Sequence, residues 1–250
     1  LEDGLYTRFP KPDYALSLHV SASLPTGQVS ASEGVQYSSA DSVNITVFGV
    51  ATHGASPHKG KDPVYIASQI VVALQGIISR EKSPLKAGVI TVGAFNAGNR
   101  PNIITDRAEL QLTLRANDEE TRAQLIAAVR RVADGIARAN GVPEALLPKV
   151  EVIGGTPTTI NNAALAKRIN AAFVRNLGAS AVTAYEQSGM GAEDFGYYSQ
   201  VIPGCFYRLG VGNIAQGITA GVHTPVFNVD ESSIKNGMEM MAWLGAKAGF

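Results

Sequence analysis

Gly49-Val-Ala-Thr-His-Gly-Ala-Ser-Pro-His-Lys-Gly-Lys-Asp-Pro63 is the stretch on which the fold turns. Ahead of it, Val43–Val50 alternates apolar and polar residues, the two-residue period of a half-buried strand. Behind it, Val64, Ala67, Ile70, Val71, Leu74, Ile77 and Ile78 recur at helical spacing, which predicts a helix over Pro63–Arg80 with one apolar stripe. Asp62-Pro63 marks its start: the carboxylate can accept the first free N–H groups, and proline at the first helical position sacrifices no hydrogen bond. His53 and His58, two of the four histidines, therefore lie on a loop held at both ends by regular structure, a common setting for functional side chains. Spacing alone leaves open whether they have a task or only occupy the loop.

Downstream, Ala87–Phe95 reads as a strand, and a Gly/Asn/Pro loop at Asn96–Asn102 leads to Arg107–Arg115. That segment alternates cleanly, with Ala108, Leu110, Leu112 and Leu114 on one face and Arg115 on the polar face. A helix follows from about Glu119 to Ala139, capped by Asn117 or Asp118 and closed by Gly141, and Lys149–Ile153 supplies a last strand. The order β-α-β-β-α-β is a ferredoxin-like unit complete within residues 41–155. Upstream, Pro10, Pro12 and Pro25 punctuate a loop-rich start in which Tyr14–Val20 reads as a buried strand carrying His19. Beyond Thr156, helices are expected at Ala163–Leu177 and Ser232–Ala248, with short strands near Ala181–Tyr185 and Cys205–Leu209. The flanks, 1–40 and 156–250, look strand-poor, like two pieces of one α/β domain interrupted by the ferredoxin-like insertion.

Composition narrows the classes. Hydrophobic residues make up 45% of the 250, enough for a substantial core, and 21 basic residues balance 21 acidic ones. That balance argues against a general nucleic-acid binder, which shows a basic excess. Ser68, Gln69 and Gln75 interrupt the most apolar run, Ile66–Ile78, so no membrane span is expected. Cys205 is the only cysteine, which rules out an intrachain disulfide or a cysteine metal cluster and fits a reducing, cytoplasmic setting.

Taken singly, the polar motifs have ordinary explanations. His19 in an apolar strand fits a hydrogen-bonded core histidine. The pair Glu193-Asp194 fits a solvated or capping role as well as acid–base chemistry. His223, beside a proline in an apolar run, fits a structural role, and Gly210-Val-Gly212 fits a turn. There is no H-E-x-x-H, no G-x-S-x-G and no phosphate-binding glycine pattern.

Their order is more specific. His53-Gly-Ala-Ser-Pro-His58, Asp62-Pro63, Pro101-Asn102-Ile-Ile, Thr113-Leu-Arg115, Ala192-Glu-Asp-Phe195, Pro203-Gly204, Leu209-Gly210 and His223-Thr-Pro-Val-Phe227 follow one another along the chain. This series resembles the dinuclear-metal aminoacylase/carboxypeptidase superfamily, most closely its amidohydrolase branch of hippurate and auxin-conjugate hydrolases. The resemblance implies a ferredoxin-like lid and dimerisation domain at 41–155, set into a zinc-peptidase-like catalytic α/β domain that is here incomplete, at 1–40 and 156–250. It implies that His19 and His223 are metal ligands, and that His53 reaches the partner subunit's active site to stabilise the reaction oxyanion. It places Asn102 and Arg115 near the substrate carboxylate.

The resemblance also implies two divalent metal ions (Zn, Mn, Co or Ni), a small N-acyl amino acid or peptide substrate, and a homodimer formed through the lid. The family's remaining ligands and its Glu-Glu pair, the source of the general base, have no match here. The chain is therefore expected to correspond to the C-terminal two-thirds of such an enzyme and to be inactive by itself. The rival reading is a non-catalytic dimerisation or binding protein that keeps only the lid function.

Overall fold

The computed structural model describes residues 1, 3–184 and 189–246. The chain separates into two compact units: Ser38–Thr158 with Met190–Glu193, and Leu1–Tyr37 with Thr159–Gly189 and Asp194–Phe250. The short helix α1 (Leu5–Arg8) precedes strands β1 (Ala15–Pro25), β2 (Val29–Ser30) and β3 (Gly34–Tyr37). The inserted unit runs β4 (Ala40–Phe48), β5 (Thr52–His53), α2 (Pro63–Gly76), β6 (Gly88–Ala97), β7 (Ile103–Ile104), β8 (Arg107–Ala116), α3 (Glu119–Ala139) and β9 (Lys149–Thr156). The chain returns through β10 (Thr159–Asn161), α4 (Ala163–Leu177), α5 (Gly196–Ser199), β11 (Gly204–Gly212) and α6 (Ser232–Ala246).

In the inserted unit the four long strands form one antiparallel sheet in the order β6-β8-β4-β9, the strand order of a ferredoxin-like βαββαβ fold. The alternation in the sequence sets its buried face. Val43, Ile45 and Val47 on β4 and Ala108, Leu110, Leu112 and Leu114 on β8 pack with Ile66, Ile70 and Leu74 of α2 and Leu125, Val129 and Ala133 of α3. Burying each Leu or Ile contributes about 1.5–3 kcal/mol. Asp62 caps α2 by accepting the Val64 and Tyr65 N–H groups at 2.9 and 3.3 Å.

The expected helix over Pro63–Arg80 is present, with a change of geometry near its end. The helix does not run as α-helix to Arg80. Gly76, a weak helix former, ends it, and Ile77–Glu81 continues as a wider π turn closed by Lys82 N–H donating to the Ile77 carbonyl at 2.9 Å. Pro63–Glu81 is long and apolar enough to cross a bilayer by length and composition alone. Much of that apolarity is contact surface: Ile66, Ala67, Ile70, Leu74 and Ile77 are buried against the sheet and α3.

One buried charge pair ties this unit together. Arg122 of α3 presents Nε and Nη2 to the two oxygens of Asp41 on β4 at 2.8 and 2.7 Å, and Nη1 to Glu119 at 3.0 Å. The Asp41 hydrogen bonds, with Glu119's added, raise the Arg122 pKa further above its ordinary value despite partial burial.

The other unit is richer in strand than the sequence suggests. β11 lies at the centre of a three-stranded sheet, parallel to β1 from Ala15↔Gly204 to Ser21↔Gly210 and antiparallel to β2. Every residue of β11 is buried, so it shows no alternation, and it extends well past the expected Cys205–Leu209. Helix α6 approaches β11 closely at Gly237, where a Cβ would lie 2.8 Å from Leu209 Cδ2. Asn161 completes the far edge of β11 with its side chain: it accepts Phe206 N–H at 2.6 Å and donates to the Phe206 carbonyl at 2.8 Å. The strand expected near Ala181–Tyr185 is a 3-10 turn at Ala179–Ala181 followed by one bridge, Val29↔Val182. Tyr185, and the last two positions of the expected helix Ser232–Ala248, lie outside the described residues.

Candidate functional site

The loop carrying His53 is built by close backbone approach. Val50 and Lys61 exchange N–H···O bonds at 2.9 and 3.1 Å across its neck, and a side chain at Gly49 would strike the Lys61 carbonyl. Its tip is held by the loop Ala97–Asn102: β5 pairs with β7, His53 facing Ile103, and Gly54 N–H donates to the Asn102 carbonyl at 2.8 Å. His53 is exposed, and its Nδ1 accepts the Ala55 N–H at 3.0 Å. A ring that accepts at Nδ1 carries its proton, when neutral, on Nε2. The exposed edge of His53 therefore presents an N–H donor.

Arg115 is placed elsewhere in the same unit. It sits near the far end of β8, where its Nη1 donates to the Met190 carbonyl at 2.8 Å. From Arg107, at the β7 end of the strand, to Arg115 is about 25 Å at the rise of an extended chain. The structure thus brings His53 and Asn102 together within one chain and holds Arg115 a strand length away.

His19 and His223 belong to the other unit. His19, opposite Arg208 in the β1–β11 register, directs Nδ1 to the Val20 carbonyl at 2.7 Å. A carbonyl can only accept, so Nδ1 carries the proton and Nε2 keeps its lone pair, the state in which a histidine binds metal. The ring is walled by Phe206 and Tyr37, with centroids 5.8 and 6.4 Å away. His223 is exposed at a turn tightened by Thr224 Oγ1 donating to the Gly221 carbonyl at 2.9 Å. Its φ of 64° makes it the non-glycine residue held in the left-handed region among those described. That conformation costs about 1–3 kcal/mol and persists where the surroundings impose it, often at functional positions.

Sequence reasoning passed over Arg208, which is buried beside His19. It donates to Tyr37 Oη at 2.5 Å and lies over the Tyr37 and Phe206 rings at 4.5 and 4.9 Å. An arginine inside an otherwise apolar run, Cys205–Leu209, was the available signal. The Cys205 thiol, by contrast, is pushed up to about 12 by burial and is no nucleophile at neutral pH.

Comparison with known proteins identifies the family. Residues 38–140 match the M20 peptidase dimerisation domain. The chain is 34% identical over 204 residues to a hippurate hydrolase of Campylobacter jejuni, covering 80% of this chain and 51% of that protein. It is 31% identical over 235 residues to thermostable carboxypeptidase 1 of Saccharolobus solfataricus, covering 94% of this chain and 58% of that protein. A solved dinuclear metal-binding peptidase of the M20 family from Bacillus subtilis superposes with a TM-score of 0.76 at 27% identity, over 97% of this chain and 58% of that one. The chain belongs to this M20 family of dinuclear-metal peptidases and amidohydrolases, and it spans a little over half the length of the relatives it matches.

The donor chemistry for a metal can be read from the described residues. His19 has the right tautomer, but no three His, Cys, Asp or Glu side chains converge among the described residues. A tightly held divalent ion needs three or more protein ligands. The described residues therefore do not form a complete metal centre by themselves.

Proposed function

We propose that this chain carries the lid and part of the catalytic domain of a metal-dependent amidohydrolase that cleaves the amide of N-acyl amino acids or related conjugates. His19 and His223 would each give a ring nitrogen to a dinuclear centre of Zn, Mn, Co or Ni. A bound metal pair supplies polarisation of the scissile carbonyl and activation of water. The chain's own residues do the rest of the binding. His53 donates its Nε2 proton in a hydrogen bond to the carbonyl oxygen as negative charge develops there. Asn102 and Arg115 hold the amino acid carboxylate, for which a guanidinium fork has matching geometry.

The observation that carries the reading is the Ala55 N–H···Nδ1 bond, which leaves His53 as an outward donor on a braced loop. The separation of His53 and Asn102 from Arg115 along β8 adds a second point: one site that uses all three takes them from two copies of the chain. This fits a homodimer, and the M20 dimerisation domain at 38–140 supports it. The test is complementation in the metal-loaded enzyme. The His223→Ala homodimer is expected to be inactive and the His53→Ala homodimer to be about 10²- to 10³-fold impaired, and a mixture is expected to recover activity as heterodimers form. Heterodimers that form without activity would refute the shared site. The short donor set favours one rival, a dimerising or binding protein without catalysis; that reading predicts no turnover from any wild-type, metal-loaded form.

A further inference from the structure

We infer that Arg100 binds a carboxylate on the side chain of the substrate's amino acid, so that the enzyme favours N-acyl derivatives of acidic amino acids over those of glycine. This rests on the amidohydrolase reading. Arg100 lies two residues before Asn102, on the turn that braces the His53 loop, and its own carbonyl accepts the Ile103 N–H at 3.4 Å. It forms part of the wall of a cavity of about 570 Å³, together with Gly54, Pro57, Asp62 and Asn99.

What marks Arg100 is that its neighbours' charges are already used. Arg107 pairs with Asp106 at 3.2 Å, and Lys61 Nζ donates to the Asn140 carbonyl at 3.0 Å. Asp62, the carboxylate in the cavity wall, accepts the first N–H groups of α2 through Oδ1 and forms no ion pair with Arg100 among the described residues. Lys59, on the same loop, is not part of the wall. The Arg100 guanidinium has no hydrogen bond or ion pair among the described residues. An unpaired arginine in water is ordinary; here it projects from the same turn as Asn102 and shares a cavity with the loop of His53. A carboxylate entering that cavity meets a five-donor fork with which no acid among the described residues is paired. Asn102 and Arg115 serve the α-carboxylate, so the charge left for Arg100 is one carried by the amino acid side chain.

The experiment compares N-benzoylglutamate, N-benzoylglycine and N-succinylglycine as substrates of the metal-loaded enzyme and of Arg100→Gln and Arg100→Lys. Losing a charge-assisted pair of hydrogen bonds should lower the glutamate-to-glycine ratio of kcat/KM about 10- to 100-fold in Arg100→Gln, chiefly through KM, with partial rescue in Arg100→Lys. An unchanged ratio, or an equal fall for all three substrates, would overturn the inference. A selective fall for N-succinylglycine would do the same by placing the charge on the acyl side. Titrating the backbone amides of residues 97–104 by NMR with N-benzoylglutamate gives a readout independent of turnover. If the full-length, metal-loaded wild type hydrolyses none of the three, the amidohydrolase reading fails. Amide shifts that need Arg100 and the second carboxylate would then still establish the subsite, and their absence would reject it.

Discussion

Replacing Arg122 by methionine would leave the Asp41 carboxylate stranded. That carboxylate is 1% exposed and receives two N–H···O bonds from one guanidinium, at 2.7 and 2.8 Å. Removing one member of a buried pair costs about 3–5 kcal/mol, because the remaining charge keeps its desolvation penalty without its partner. Arg122 is itself 23% exposed, so water can reach the vacated space and the lower end, about 3 kcal/mol, is expected. For a unit of this size that is a fall in Tm of roughly 10 °C. Urea unfolding followed by far-UV circular dichroism measures it, as a drop in midpoint at constant slope. Asp41→Leu combined with Arg122→Met should recover much of the loss, since an apolar pair of similar volume carries no stranded charge. A cost below about 1 kcal/mol for Arg122→Met would show that Asp41 is supported by other groups, and would refute the reasoning.

Other expectations follow from single residues. His53→Ala should lower kcat about 10²- to 10³-fold in the metal-loaded enzyme while leaving the melting temperature unchanged. The 250 residues alone, in which no three metal-binding side chains converge among those described, should show no metal-dependent hydrolysis of hippurate; turnover free of contaminating enzyme would mean the site is misplaced. The chain should sediment as a dimer. The stripe of α2 is spent on its own core, so the interface falls to outward residues such as Val72, 73% exposed, and Val72→Asp should shift the dimer toward monomer. Asp118→Ala should cost about 1 kcal/mol as a lost helix cap. Burial raises the Asp118 pKa, but the two Thr121 hydrogen bonds and Lys86 outweigh it and hold it below 3.8. The cap's contribution is therefore present above the unfolded value and is lost as pH falls through the folded one, so wild type and variant should converge in acid-unfolding curves.

The ferredoxin-like unit was legible because every signal in it is local. Alternation in β4 and β8, helical spacing in α2 and α3, and caps at Asp62 and Asp118 each arise within one segment. The π turn was missed because Ile77 and Ile78 keep the apolar stripe while the backbone widens beneath them. In the other unit the decisive pairing, β1 with β11, joins residues nearly two hundred positions apart, and a strand buried on both faces shows no period to read. Among site residues, the braced loop made His53 conspicuous. The grouping of His53 with Asn102, apart from Arg115, needed the register of β5 on β7 and the length of β8. Arg100 was hidden by its setting, since a Gly/Asn/Pro loop reads as connection only.

The pairing of Ala40 with Thr156 across β4 and β9, continued by Tyr37 with Thr159 across β3 and β10, brings the two ends of the insertion side by side. Seen as a folding problem, this turns the insertion into a clasp. Before it folds, β1 must find β11 across a very long floppy chain. Once it has folded, the unstructured length between those strands shrinks to roughly a third, which lowers the loop-closure cost by about 1 kcal/mol. During synthesis the insertion is also complete well before β11 leaves the ribosome. The lid would thus set the order of assembly: it forms first, and the parallel pair that carries His19 closes last, on a chain already shortened for it.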